Sequence, residues 1–304
     1  MKNKALERLI CGLVTLLVCF SFSSSKLFAQ AKPDSNASHG YRLKTIIIDP
    51  GHGGEHPNVK GHFSNGARGE YSTERGVTLA VGLKLQAAIE KEMPGVKAIL
   101  TRTTEEDVDW QKRADIANEN HGDLFLSLHC NALPDRTIRE RVGTKHGKPV
   151  YATRHVPDRS GRGVLELVYG LHRTNEESSA IRHTQIEEEA SAEDQNFDPN
   201  DPVNAILINE YKRKFRKQSI IMAGLINNEL VDVDGRKSDG VIEQGILVLC
   251  HTAMPSTLLE MGFIDNPDDE AYLNSEKGQN EIIDSIIRAL KKYRDGVGTV
   301  ADGQ

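Results

Sequence analysis

The chain has 304 residues, of which 38% are hydrophobic and 27% charged, and a net charge of −6. The acidic excess argues against a nucleic-acid partner, because a phosphate-binding surface is normally basic. Only Cys130 and Cys250 lie beyond the first thirty residues, which rules out a disulfide framework and leaves room for at most one bridge.

In chain order, Lys2, Lys4 and Arg8 lead into an apolar stretch from Leu9 to Phe22. A stable membrane span needs ~20 residues, and serines interrupt this run before Leu27, Phe28 and Ala29. The pattern predicts a secretory signal over residues 1–29, cut after Ala29, with no membrane anchor left after cleavage and a final location outside the cytoplasm; the alternatives are an uncleaved anchor and a lipoprotein linked through Cys19, which Leu17 and Val18 in place of a small residue disfavour. A polar linker, 30–43, precedes the domain, 44–295, and 296–304 reads as a flexible tail.

Within the domain, the β-branched run Thr45–Ile48 closed by Asp49-Pro50-Gly51 reads as a buried strand. Thr78–Lys91 shows helical spacing up to Pro94-Gly95, Val96–Thr101 reads as a strand, Trp110–Asn120 as a helix and Leu124–Leu128 as a third strand. Further strands are predicted at Pro149–Thr153, Gly245–Cys250 and Ser256–Glu260, and a last helix at Glu281–Tyr293. This order implies an α/β fold: a single domain with a mostly parallel mixed sheet flanked by helices. Residues 157–239 read as a helical insertion over the sheet near the active site, with helices at Gly163–His172 and Ile206–Leu230 around an acidic middle that includes Glu187, Glu188 and Glu189.

Chemistry-bearing residues collect at predicted strand ends, where an α/β sheet gathers its active site. His52 sits in the glycine-rich loop Asp49-Pro50-Gly51-His52-Gly53-Gly54, His129 ends the apolar run from Leu124, and Glu74 precedes a helix start. Each has an ordinary structural explanation alone: a satisfied histidine, or a first-turn glutamate favoured by the helix dipole. Together they form two imidazoles and a carboxylate, the ligand complement of many hydrolytic zinc sites, with a fourth position left for water. Glu260, in Leu258-Leu259-Glu260-Met261-Gly262, is either a hydrogen-bonded structural carboxylate or a catalytic base with a raised pKa; its place beside the other three favours the base.

These residues carry a family resemblance. From about Lys44 to Tyr293 the chain resembles the zinc-dependent N-acetylmuramoyl-L-alanine amidases of type 3, through Ile48-Asp49-Pro50-Gly51-His52-Gly53-Gly54, Glu74-Arg75-Gly76-Val77-Thr78-Leu79-Ala80, Leu126-Ser127-Leu128-His129-Cys130-Asn131-Ala132, Gln244-Gly245 with Leu247-Val248-Leu249, and Leu258-Leu259-Glu260-Met261-Gly262-Phe263. The resemblance implies zinc held by His52, Glu74 and His129, Glu260 as the catalytic glutamate, and peptidoglycan as the substrate. The stretch from Gly54 to Glu74 holds extra polar residues, His56, His62 and Glu70, and Glu70 competes with Glu74 as the carboxylate ligand; the helix start at Val77-Thr78-Leu79 matches the family and favours Glu74. Some family members carry an inserted helix that blocks the groove until a protein activator displaces it, so Glu176, Glu177 and Glu187 to Glu189 are candidates to reach the zinc at rest. The rival readings are a zinc peptidase cutting stem peptides and a wall-binding protein without turnover.

Overall fold

The computed structural model describes residues 43–170, 174–187 and 202–296. The elements in chain order are β1 (Thr45–Pro50), α1 (Glu74–Glu92), β2 (Lys97–Leu100), α2 (Trp110–Glu119), β3 (Leu124–Asn131), β4 (Arg136–Lys145), β5 (Lys148–Val156), β6 (Val164–Tyr169), α3 (Thr174–Ile181) leading into a π-helical turn (Arg182–Glu187), α4 (Pro202–Asn228), β7 (Ser238–Gln244), α5 (Leu247–Cys250), β8 (Ser256–Phe263), α6 (Pro267–Leu273) and α7 (Glu276–Arg294).

Six strands form one sheet in the order β2-β1-β3-β8-β6-β7, and β4 pairs with β5 in a separate two-stranded ribbon. Within the sheet every pairing is parallel except β6 against β8. The central strands have no polar face because helices cover both sides, so the consecutive residues Ile46, Ile47 and Ile48 are all fully buried. Ile46, Ile48, Leu126 and Leu128 pack under α1, α4 and α7 through Leu85, Ile226 and Ile286. Ile47, Phe125 and Leu258 face the other way, against Ala117 of α2 and Val248 and Leu249 of α5. The strand period of two thus sorts one apolar run into two cores.

The α/β sheet and its flanking helices are as expected, but three elements differ. Gly163–His172, expected as a helix, supplies β6, an inner strand; Val164–Tyr169 is nearly apolar throughout, and such a run has no period to separate strand from buried helix. The same ambiguity runs the other way at Gly245–Cys250, expected as a strand, where Leu247–Cys250 forms the short helix α5. The strand expected at Pro149–Thr153 exists but belongs to the ribbon, outside the sheet. Segment 157–239 is therefore no mere helical cover: it contributes β6, the start of the polar edge strand β7, and α4, whose Met222, Leu225 and Ile226 fill the main core.

Helix starts shift for local reasons. The last helix begins at Glu276, five residues before expectation, because the Ser275 side chain accepts from the Gly278 amide as an N-cap. Cys130 and Cys250 are both buried, one in each core, so they pack as small residues and the bridge left open above does not form. The expected signal, most of the linker, the tail beyond Gly296 and the acidic residues from Glu188 to Asp201 lie outside the described residues. Among the described residues, no helix is long and apolar enough to cross a membrane.

Candidate metal centre and catalytic cleft

The sheet brings the expected residues together at the C-terminal ends of β1, β3 and β8. His129 and Glu260 are directly opposite each other in the β3–β8 register, so both project from the same face. Glu74 is the first residue of α1, and its nearly inaccessible carboxylate bridges the two histidines: His52 Nε2 lies 3.2 Å from Oε2 and His129 Nδ1 lies 2.9 Å from Oε1. The same oxygens accept the Ala67 amide at 2.7 Å and the Cys130 amide at 2.9 Å, which fixes the carboxylate in place. Burial works against the Glu74 charge, but the hydrogen bonds from His129 and His52 prevail and hold its carboxyl well below the usual carboxylate range. His129 is pushed down by burial and up more strongly by Glu74, with a net upward shift.

The loop that presents His52 is built for close approach. Gly51 donates its amide to the Leu128 carbonyl at 2.9 Å, and a Cβ at this position would overlap the His129 ring. His52 itself has φ +62°, an uncommon conformation for a residue with a side chain. The strain is held by Arg113, whose guanidinium donates to the Pro50 carbonyl at 2.6 Å and the His52 carbonyl at 2.6 Å, and ion-pairs with Asp49 at 2.8 Å. Asp49 also accepts from Thr101 Oγ1 at 2.6 Å and Ser127 Oγ at 2.7 Å. Sequence reasoning missed this support; the one available signal was Asp49, an aspartate directly after the apolar run Ile46–Ile48.

Glu260 differs from Glu74 in having few partners. Burial pushes its carboxyl up to about 7, with His129 opposing and the Glu74 charge adding to the rise. Its Oε2 is buried and finds no hydrogen-bond partner among the described residues. A carboxyl poised near neutrality beside the His129 imidazole is suited to moving a proton.

The other sequence candidates fall elsewhere. Glu70 is exposed and pairs with Arg159 at 3.4 Å, so it does not compete for the centre. His56 pairs with Asp109 at 3.0 Å and stands edge-on to His62. Glu177 is buried 3.9 Å from Lys212 in a cavity with Tyr169 and Phe215, away from the histidines, and the side chains of Glu187 to Glu189 lie outside the described residues. Among the described residues, the one group with metal-binding spacing is His52, Glu74 and His129, whose donor atoms lie within 4.8 Å of one another. Two neutral nitrogens and a buried anionic oxygen fit a divalent transition metal. The two histidines open onto a cleft of about 520 Å³ whose other walls include Asp109, Trp110, Gln244 and Leu247.

Comparison with known proteins points the same way. A profile of the N-acetylmuramoyl-L-alanine amidase family matches residues 46–292. The chain is 28% identical over 278 residues to N-acetylmuramoyl-L-alanine amidase AmiC of Escherichia coli O6:H1, covering 90% of this chain and 58% of that protein. It is 24% identical to AmiA of Escherichia coli K12, covering 86% of this chain and 80% of that one. In fold it is similar to AmiC2 of Nostoc punctiforme (TM-score 0.51, 23% identity, 84% of this chain and 98% of that one). It is likewise similar to the CwlD amidase of Clostridioides difficile, solved in complex with the GerS lipoprotein (TM-score 0.54, 20% identity, 82% and 98%). With the profile spanning the sheet from β1 to α7 and including all four residues of the centre, the chain belongs to the N-acetylmuramoyl-L-alanine amidase family.

Proposed function

We propose that the protein hydrolyses the amide between N-acetylmuramic acid and L-alanine in peptidoglycan, outside the cytoplasm, with zinc held by His52, Glu74 and His129 and with Glu260 as general base and acid. The observation that carries this reading is the cross-strand pairing of His129 with Glu260 while Glu74 binds both imidazoles. When bound, the metal supplies Lewis acidity toward the scissile carbonyl and lowers the pKa of water. Glu260, with its unpartnered Oε2 in a largely dry setting, takes the proton from the attacking water and returns it to the leaving alanine nitrogen. Glu74 keeps the two imidazoles oriented, and Arg113 holds the backbone of His52 so that its ring meets the same carboxylate. No side chain need form a covalent intermediate.

The test is mass spectrometry of muropeptides incubated with the purified protein, with and without chelator. Free stem peptides beginning with alanine are expected, lost on chelation and reduced ~10² to 10⁴-fold in Glu260→Ala. Cuts within the peptide would replace this reading by a peptidase. Because the CwlD amidase was solved with a lipoprotein, a protein activator that displaces the inserted segment, about 157–239, is also proposed here. Deleting 188–201 is expected to raise turnover on isolated sacculi severalfold; unchanged turnover would remove the idea.

A further inference from the structure

The β4–β5 ribbon is the part of the fold that the catalytic reading does not use. All of β4 and most of β5 are exposed, so neither face of the ribbon packs on the domain. A two-stranded ribbon alone in water is marginally stable, and this one exposes Val142 and Tyr151 by half or more. Its charge is opposite to that of the chain. The two strands hold Arg136, Arg139, Arg141, Lys145, Lys148 and Arg154 against Glu140 alone, whereas the whole protein carries −6. Strands of 10 and 9 residues at ~3.3 Å per residue make an arm roughly 30 Å long.

The arm is rooted at the catalytic end of the sheet. It leaves β3 after Asn131, two residues beyond His129. Near its start Leu133 donates its amide to Asp265 at 3.0 Å, and on the return leg the Arg159 carbonyl accepts from Asn266 at 2.8 Å. Asp265 and Asn266 lie two and three residues past the end of the strand that carries Glu260. Arg162 completes the footing by pairing with Asp268 at 2.6 Å. Polymer engaged by the arm is therefore held beside the cleft, without the arm itself lining it.

We propose that this ribbon is a polymer-holding arm that binds the stem-peptide carboxylates of peptidoglycan strands flanking the bond being cut, a role that rests on the substrate proposed above. Charge complementarity selects the occupant: stem peptides carry free carboxylates repeatedly along the glycan, matching cations spread along both strands. A single exposed Lys or Arg pair contributes little. Several engaged at once on one polymer raise the effective concentration of the next contact, so avidity comes from their number. Such binding is screened by salt over a Debye length of ~10 Å at 0.1 M.

The test is co-sedimentation with intact sacculi, using Glu260→Gln protein so that binding is read apart from hydrolysis. Replacing Arg139, Arg141, Lys145 and Lys148 together by Gln is expected to weaken binding at least ~10-fold at low salt. Replacing Arg139 and Arg141 by Lys should preserve it. Sacculi whose carboxylates have been converted to neutral amides should bind the parent protein no better than the Gln variant binds untreated sacculi, and this arm of the experiment needs no change in the ribbon. Unchanged binding by a folded Gln variant, or by the parent on amidated sacculi, overturns the proposal. Ribbon-dependent binding to phosphatidylglycerol vesicles in preference to sacculi also overturns it and assigns the arm to a lipid surface. Turnover by wild-type protein is measured separately: ribbon-dependent binding without amide cleavage defeats the proposed function and spares the arm, and cleavage with ribbon-independent binding does the reverse.

Discussion

Arg113 shows how much of the centre depends on a residue outside the His52, Glu74, His129 and Glu260 set. Its guanidinium is the shared donor for the Asp49 carboxylate and for the Pro50 and His52 carbonyls, and both members of the ion pair are nearly inaccessible. Removing one partner of a buried pair leaves an uncompensated charge, so Arg113→Ala is expected to lower unfolding free energy by about 3–5 kcal/mol in urea melts. A loss below ~1 kcal/mol would show that water satisfies Asp49 and that the His52 loop holds itself. His52, Glu74, His129 and Glu260 were legible in the sequence because each sits in a short local motif. Arg113 was not, because its role depends on a partner 64 residues away and no local pattern encodes that pairing.

Among the elements, β6 is the least conventional strand. Glu166 lies at its centre with no exposed surface, beneath α4, held by one hydrogen bond from Thr257 Oγ1 at 2.6 Å while Oε1 has no partner among the described residues. Burial raises its carboxyl well above the ordinary 4.5, and the charge of Glu260 adds to the rise despite the Thr257 bond. The folded chain therefore keeps a proton that the unfolded chain releases above its own pKa. Stability contributed by that proton is fully present below the unfolded value and falls as pH rises toward the folded value, by at most ~1.4 kcal/mol per pH unit. Glu166→Gln keeps an acceptor for Thr257 and cannot ionise, so it should melt higher than wild type at pH 7 and equally at pH 4. A lower melting temperature at pH 7 would mean that the charged form is stabilised by a route absent here. The same strand was misread as helix, since Val164, Leu165, Leu167 and Val168 leave no polar face to set a period. The polar edge strand β7 escaped for the opposite reason, its residues being mostly exposed.

Across the whole molecule, the cleft has His52, His129 and charged residues among its lining together with Trp110 and Leu247, each more than a third exposed. Trp110 is the chain's only tryptophan, and its ring packs 4.8 Å from that of His251. Its emission should shift when a soluble muropeptide enters the cleft of Glu260→Gln protein, and the shift should saturate; a spectrum indifferent to ligand would place the substrate away from this wall. The overall architecture was legible because alternating strands and helices leave few topologies. The ribbon's basic character was hidden by the chain's net acidity, since a sum over all residues does not show where charge is placed. A last consequence concerns the two thiols of the folded domain. Cys130 and Cys250 are held in different cores with the sheet between them, so forming this domain consumes no oxidant. Expression in a reducing cytosol and folding in an oxidising envelope should yield the same protein, and neither a thiol reductant nor an oxidant should change its yield.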